Sequence, residues 1–144
     1  MLIDRQYLQA KLQAVGGPRA ELVTWQQDAR GVTIVLHQAV PEDAIPSFLR
    51  SVLPGDLTIR RTEIWHGSTG EVHAVVDGAP GTITGVMHLE PDPDGCVISA
   101  ELTADVPLPL FGSKVEKVVT DSVASLMESE YQFTLSWLRN PVNP

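Results

Sequence analysis

Hydrophobic and polar residues change their spacing repeatedly along this chain, and each change marks a new element. After Asp4, a residue suited to capping a helix start, Tyr7, Leu8, Leu12 and Val15 recur at helical spacing until Gly16-Gly17-Pro18 breaks the pattern. From Arg19 the period falls to two. Glu21 to Gln27 and Val32 to Gln38 read as strands of a hairpin joined at Asp28-Ala29-Arg30-Gly31. Between Pro41 and Pro54, Ile45, Phe48, Leu49, Val52 and Leu53 return to helical spacing, with Pro46 suited to a first helical position. Leu57 to His66, Glu71 to Asp77, Thr82 to Leu89 and Cys96 to Val106 are strands again. Gly67-Ser68-Thr69-Gly70, Gly78-Ala79-Pro80-Gly81 and Pro91-Asp92-Pro93-Asp94-Gly95 supply the turns between them.

Alternation assigns faces within the strands. Leu57, Ile59, Arg61, Glu63 and Trp65 share one face and carry more apolar bulk than Thr58, Arg60, Thr62, Ile64 and His66. The first set is therefore expected inside, drawing Arg61 and Glu63 in with it. By the same parity Cys96, Ile98, Ala100, Leu102, Ala104 and Val106 point inward on the last strand. Trp25 shares parity with Glu21, Val23 and Gln27, a mixed face that fits either an exposed aromatic or a core one.

The longest periodic segment runs from Ser113 to Arg139. Ser113 and Glu116 have capping-box spacing, and Pro141 stops the helix beyond its end. Val115, Val118, Val119, Ser122, Val123, Leu126, Phe133 and Trp137 form one stripe, opposite Lys117, Asp121, Glu128, Gln132 and Arg139. A helix of this length makes a rod of roughly 40 Å, enough to cross a sheet. Glu130 falls inside the apolar sector, where a carboxylate either snorkels from the stripe's edge or enters a polar interior. Strands joined by tight turns and followed by a terminal helix predict an α+β fold, a curved antiparallel sheet of about six strands gripping that helix.

Composition narrows the function classes. At 144 residues, with 43% apolar and 19% charged residues, the chain suits one domain, 1–144, with one core. A formal charge of −8 opposes non-specific binding to nucleic acid or to an anionic membrane. No apolar run is long enough to span a bilayer, and Met-Leu-Ile-Asp-Arg lacks a secretory core, so a cytoplasmic protein without stable membrane insertion is expected. The single Cys96 reads as a small core residue. His37, His66, His73 and His88 lie on separate strands with no carboxylate or thiol completing a ligand spacing, and they read as surface residues. No metal or cofactor is expected.

Pro54-Gly55-Asp56-Leu57, Arg61-Thr62-Glu63-Ile64-Trp65, Val106-Pro107-Leu108 and Gly112-Ser113-Lys114-Val115-Glu116, in this order, resemble an uncharacterised bacterial family of the START-like, or SRPBCC, superfamily. The likeness covers about Tyr7 to Leu138. It implies a helix-grip fold with a cavity between sheet and terminal helix; superfamily members carry lipids, sterols, plant hormones or polyketides, and a minority are cyclases or ring hydroxylases. START-like chains usually open with a strand and a helix that are missing here. The expectation is that the true start lies upstream, or that a partner chain or a rearranged strand covers the gap.

Three functional readings follow. The leading one is non-catalytic binding or carriage of a small hydrophobic or amphipathic molecule, lined by Ile59, Arg61, Glu63, Trp65, Ile98, Ala100 and Leu102 from the sheet. The helix contributes Val119, Ser122, Val123, Leu126, Glu130 and Phe133. Arg61 either anchors an anionic group of the ligand or pairs internally with Glu63 or Glu130. The second is an enzyme of cyclase or hydrolase type, which would depend on Glu63, Glu130 and Arg61 as acid–base groups in the cavity, and nothing assigns a nucleophile. An interaction module with a filled core, a homodimer joined through uncovered strand edges and Trp25, is the third.

Overall fold

In the computed structural model the described residues are 2–17, 19–40, 47, 57–77, 81–107 and 112–139. They form helix α1 (Arg5–Val15), strands β1 (Glu21–Asp28), β2 (Gly31–Val40), β3 (Leu57–His66), β4 (Thr69–Asp77), β5 (Thr82–Asp92) and β6 (Gly95–Asp105), and helix α2 (Gly112–Arg139). The six strands make one antiparallel sheet in sequence order, β1 to β6, curved and unclosed. This is the expected α+β arrangement. The short helix expected between Pro41 and Pro54 lies outside the described residues, apart from Ser47, which is helical. The stop at Pro141 also lies outside them.

Local chemistry explains the element ends. Asp4 caps α1 by accepting a hydrogen bond from the Tyr7 backbone N–H at 3.0 Å, and the Gly16 N–H closes the other end on the Leu12 carbonyl. The capping box expected at Ser113 is not the device used. The helix already begins at Gly112, and the Glu116 carboxylate instead accepts from the Val106 N–H at 3.1 Å. That bond fastens the end of the last strand to the first turns of α2.

The ladder sets the faces. Across the sheet, Leu22, Leu36, Arg61, Ala74, Ile83 and Ala104 fall in one row, and Trp25, Ile34, Glu63, Val72, Gly85 and Leu102 in the next. The parity expected for Trp25 is corrected here. A bulge between Leu22 and Thr24 inserts one residue, so Trp25 moves to the face of Leu22 and Val23 turns outward. Trp25 is accordingly half-buried, packed against the core, and donates its indole N–H to the Ile3 carbonyl at 2.7 Å.

The core sits between this face and the two helices. Tyr7, Leu8 and Leu12 of α1 pack with Ile34, Leu36, Trp65 and Met87 of the sheet. Tyr7, Phe133 and Trp137 form an aromatic cluster with ring centroids 5.9 to 6.1 Å apart, joining α1 to the last turns of α2. Trp65 lies flat over Gly70, where a Cβ would stand 2.9 Å from the indole ring. Only glycine leaves that ring its place.

Two inward expectations on β6 are corrected. Cys96 is exposed, and Ile98 keeps 43% of its surface. Both belong to the hairpin end of β6, whereas α2 lies over Ala100, Leu102 and Ala104. Parity gives the face but not its cover. No described helix is long and apolar enough to cross a membrane.

Candidate functional site

Two features lie between sheet and helices: a buried cluster of charges and an apolar groove. The cluster begins with strand parity. Arg61 and Glu63 occupy adjacent rows on the inward face of β3, and α2 brings Glu130 down onto them. Arg61 Nη1 donates to Glu130 Oε1 at 3.0 Å, while Nη2 meets Glu63 Oε1 at 2.5 Å as a charge contact without hydrogen-bond alignment. Trp65 Nε1 donates to Glu63 Oε2 at 2.9 Å. From α1, Lys11 Nζ stands 3.7 Å from Glu130 Oε2 and 5.5 Å from the Tyr7 ring centroid. Of the two readings of Glu130, the inward acid is the one adopted: the residue is only 8% exposed.

A hydroxyl chain ties the cluster to the helix backbone. Thr134 Oγ1 donates its only proton to the Glu130 carbonyl at 2.7 Å, so the Tyr7 hydroxyl must be the donor in the 2.7 Å contact with Thr134. Tyr7 therefore fixes α2 through both its ring and its oxygen.

The electrostatics follow from burial against pairing. Burial alone would raise the Glu63 carboxyl, but Arg61, Lys11 and the Trp65 N–H outweigh it and hold the group below the usual carboxylate range. Burial likewise opposes the charge on Arg61, and Glu63 with Glu130 more than compensates, so the guanidinium is held charged more firmly than usual. Burial lowers the Lys11 ammonium, with Glu130 opposing, and burial raises the Tyr7 phenol. With two cations facing two carboxylates, the cluster is formally neutral. A carboxylate held ionised and paired makes Glu63 a poor general acid.

The groove lies nearer the start of α2. Its walls are Ile83, Ala100, Leu102 and Ala104 from β5 and β6, against Val119, Thr120, Val123, Ala124 and Met127 from the helix. The groove is open to solvent along the helix, where Thr120 and Ala124 are exposed, and its volume is about 170 Å³. Ala100 and Ala104 on the sheet and Ala124 on the helix are too small to fill the space between the two surfaces. Ala74 alone separates Arg61 from Ile83 in their row, so cluster and groove are about 10 Å apart at ordinary strand spacing.

The residues singled out from sequence thus divide. Ala100, Leu102, Val119 and Val123 line the groove. Arg61, Glu63, Trp65 and Glu130 form the charge cluster, and Phe133 belongs to the aromatic cluster. Ile59 and Leu126 are half-buried outside both, while Ser122 and Ile98 are exposed. Lys11 escaped the sequence reading although it lies four residues after Tyr7, on the same helix face. Gln38 escaped it too, although it continues the inward alternation Val32, Ile34, Leu36.

Among the described residues, no group of three His, Cys, Asp or Glu side chains is placed to hold a metal ion. His66 is exposed, with its ring Nδ1 2.6 Å from the Arg30 carbonyl.

Comparison with known proteins yields relatives rather than an activity. Uncharacterised proteins of Mycobacterium bovis and of two strains of Mycobacterium tuberculosis are 27% identical over 118 residues, which cover 77% of this chain and 68% of theirs. A family model described as "Protein of unknown function (DUF2505)" matches residues 1–138, nearly the whole chain, and the protein belongs to that family.

Proposed function

We propose that this protein binds a small apolar or amphipathic molecule in the groove between α2 and strands β5 and β6, and carries it without transforming it. The observation behind this reading is the groove itself, an unfilled apolar space lined by alanines where a helix crosses a sheet. The meander of six strands under a long terminal helix also supports placing the family in the helix-grip, START-like class, whose members use this location for ligands. At about 170 Å³ the space falls below the several hundred Å³ of typical ligand pockets, so the guest is small or extends beyond the groove.

Arg61 is a poor anchor for an anionic guest, because both Nη atoms already face carboxylates. Native mass spectrometry of protein purified from its own host, followed by organic extraction, tests the proposal. One organic molecule per chain is expected. A protein that is empty under these conditions, and that binds no member of a panel of short alkyl compounds, would remove it.

A homodimer is the second reading. Among the described residues β1 and β6 each pair on one side only, and Val23, Val97 and Ile98 are exposed on these strands. Sedimentation at micromolar concentration decides it: a monomer excludes this reading and leaves the groove proposal standing.

A further inference from the structure

The buried side-chain polar atoms that lack a hydrogen bond among the described residues all belong to Gln38, Arg61 and Glu63. Those residues occupy one strip of the β2–β3 ladder, where Gln38 pairs with Ile59, Leu36 with Arg61 and Ile34 with Glu63. Glu63 Oε1 at least has the Arg61 charge beside it. Among the described residues Gln38 has no hydrogen-bond partner for either end of its amide, although it is only 3% exposed, and Arg61 Nε has none either. A buried amide without partners costs free energy, and evolution usually replaces it or fills the space beside it with a polar group. Gln38 and Arg61 are diagonal neighbours on one face, about 7 Å apart by ladder geometry, a span that one small polar group bridges.

We propose that this strip seats the polar head of the bound molecule, and that the head is neutral, carrying a hydrogen-bond donor beside an acceptor, as a primary carboxamide does. This rests on the groove reading and requires the apolar tail to span the two strand spacings, about 10 Å, from Arg61 across Ala74 to the groove wall at Ile83. The donors waiting in the strip are Gln38 Nε2 and Arg61 Nε, and the waiting acceptor is Gln38 Oε1. Charge decides against a carboxylate. Lys11 and Arg61 already balance Glu63 and Glu130, so another anion would be buried without a counter-charge.

The test compares wild type with Gln38→Met, which keeps side-chain length and removes the amide. Octanamide, octyl methyl ether and octanoate are titrated by ligand-observed NMR, and the ligand-free proteins are melted in parallel. Wild type is expected to bind octanamide about tenfold more tightly than the ether, as two additional hydrogen bonds would give. Octanoate should be weakest. In Gln38→Met the amide and the ether should bind alike, through weakening of the amide alone, and the free variant should melt higher because no hydrogen bond has been lost. An unchanged preference for octanamide in the variant overturns the head-group site while leaving the groove intact. A lower melting temperature of the free variant also overturns it, because the strip then holds only a structural water. Failure of wild type to bind any of the three overturns the groove reading and this inference together.

Discussion

Arg61 and Glu130, separated by 69 positions in the chain, share a 3.0 Å hydrogen bond that ties the middle of the sheet to the terminal helix. Glu63 approaches the same guanidinium from two positions along β3. One cation thus serves two buried carboxylates, and this arrangement makes the cluster sensitive to single changes.

Removing the cation should be costly. Arg61→Ala leaves Glu63 and Glu130 buried with only Lys11 nearby, and a loss of about 3–5 kcal/mol is expected in urea denaturation. Replacing Lys11, Arg61, Glu63 and Glu130 together with Met or Leu should recover most of that loss, since no charge then stays buried. If Arg61→Ala costs less than about 1 kcal/mol, the cluster is not the tie described.

Acid should act through Glu63. Its folded-state proton affinity is depressed, so its contribution to stability is fully present above the unfolded value, near pH 4.5, and disappears as the pH falls through the lower folded value. Stability curves measured from pH 6 down to pH 2 should therefore slope less steeply in Glu63→Gln than in wild type. Parallel curves would show that other carboxylates carry the acid limb.

The hydroxyl of Tyr7 can be isolated from its ring. Tyr7→Phe keeps the tilted and edge-to-face ring contacts with Phe133 and Trp137 but removes the donor to Thr134, and a loss of about 1 kcal/mol is expected. Near-ultraviolet circular dichroism should retain the tryptophan signature, whereas a collapsed signal would mean that the oxygen positions the whole aromatic cluster.

Gly70 should not tolerate a methyl group. Gly70→Ala puts a carbon 2.9 Å from the Trp65 ring, which must tilt away, and a cost of about 1–3 kcal/mol is expected with a changed tryptophan emission spectrum. An unchanged spectrum at full stability would contradict the stacked arrangement.

The groove can be filled without touching the cluster. Ala104→Leu occupies the space between β6 and α2, and it should abolish binding of octyl compounds with less than about 1.5 kcal/mol change in stability, because the site is already apolar and empty. Retained binding would place the ligand elsewhere.

Much of this architecture was written in local periodicity. The strand pattern from Leu57 to His66 placed Arg61, Glu63 and Trp65 on the inward face, because alternation depends only on the strand's own geometry. Asp4 capped the first helix as its position suggested, since a cap needs only the next few backbone donors. Tertiary structure decided what local patterns leave open. A one-residue bulge, which alternation cannot register, moved Trp25 to the core face. Cys96 and Ile98 had inward parity, but burial needs something opposite, and α2 covers the other end of their strand. Glu130 was ambiguous for the same reason: a helix stripe gives an angle, whereas the side chain's course depends on whether a cation waits below. Lys11 and Gln38 acquired their roles only when α1 and β2 met β3, through distances between segments that no spacing along the chain encodes.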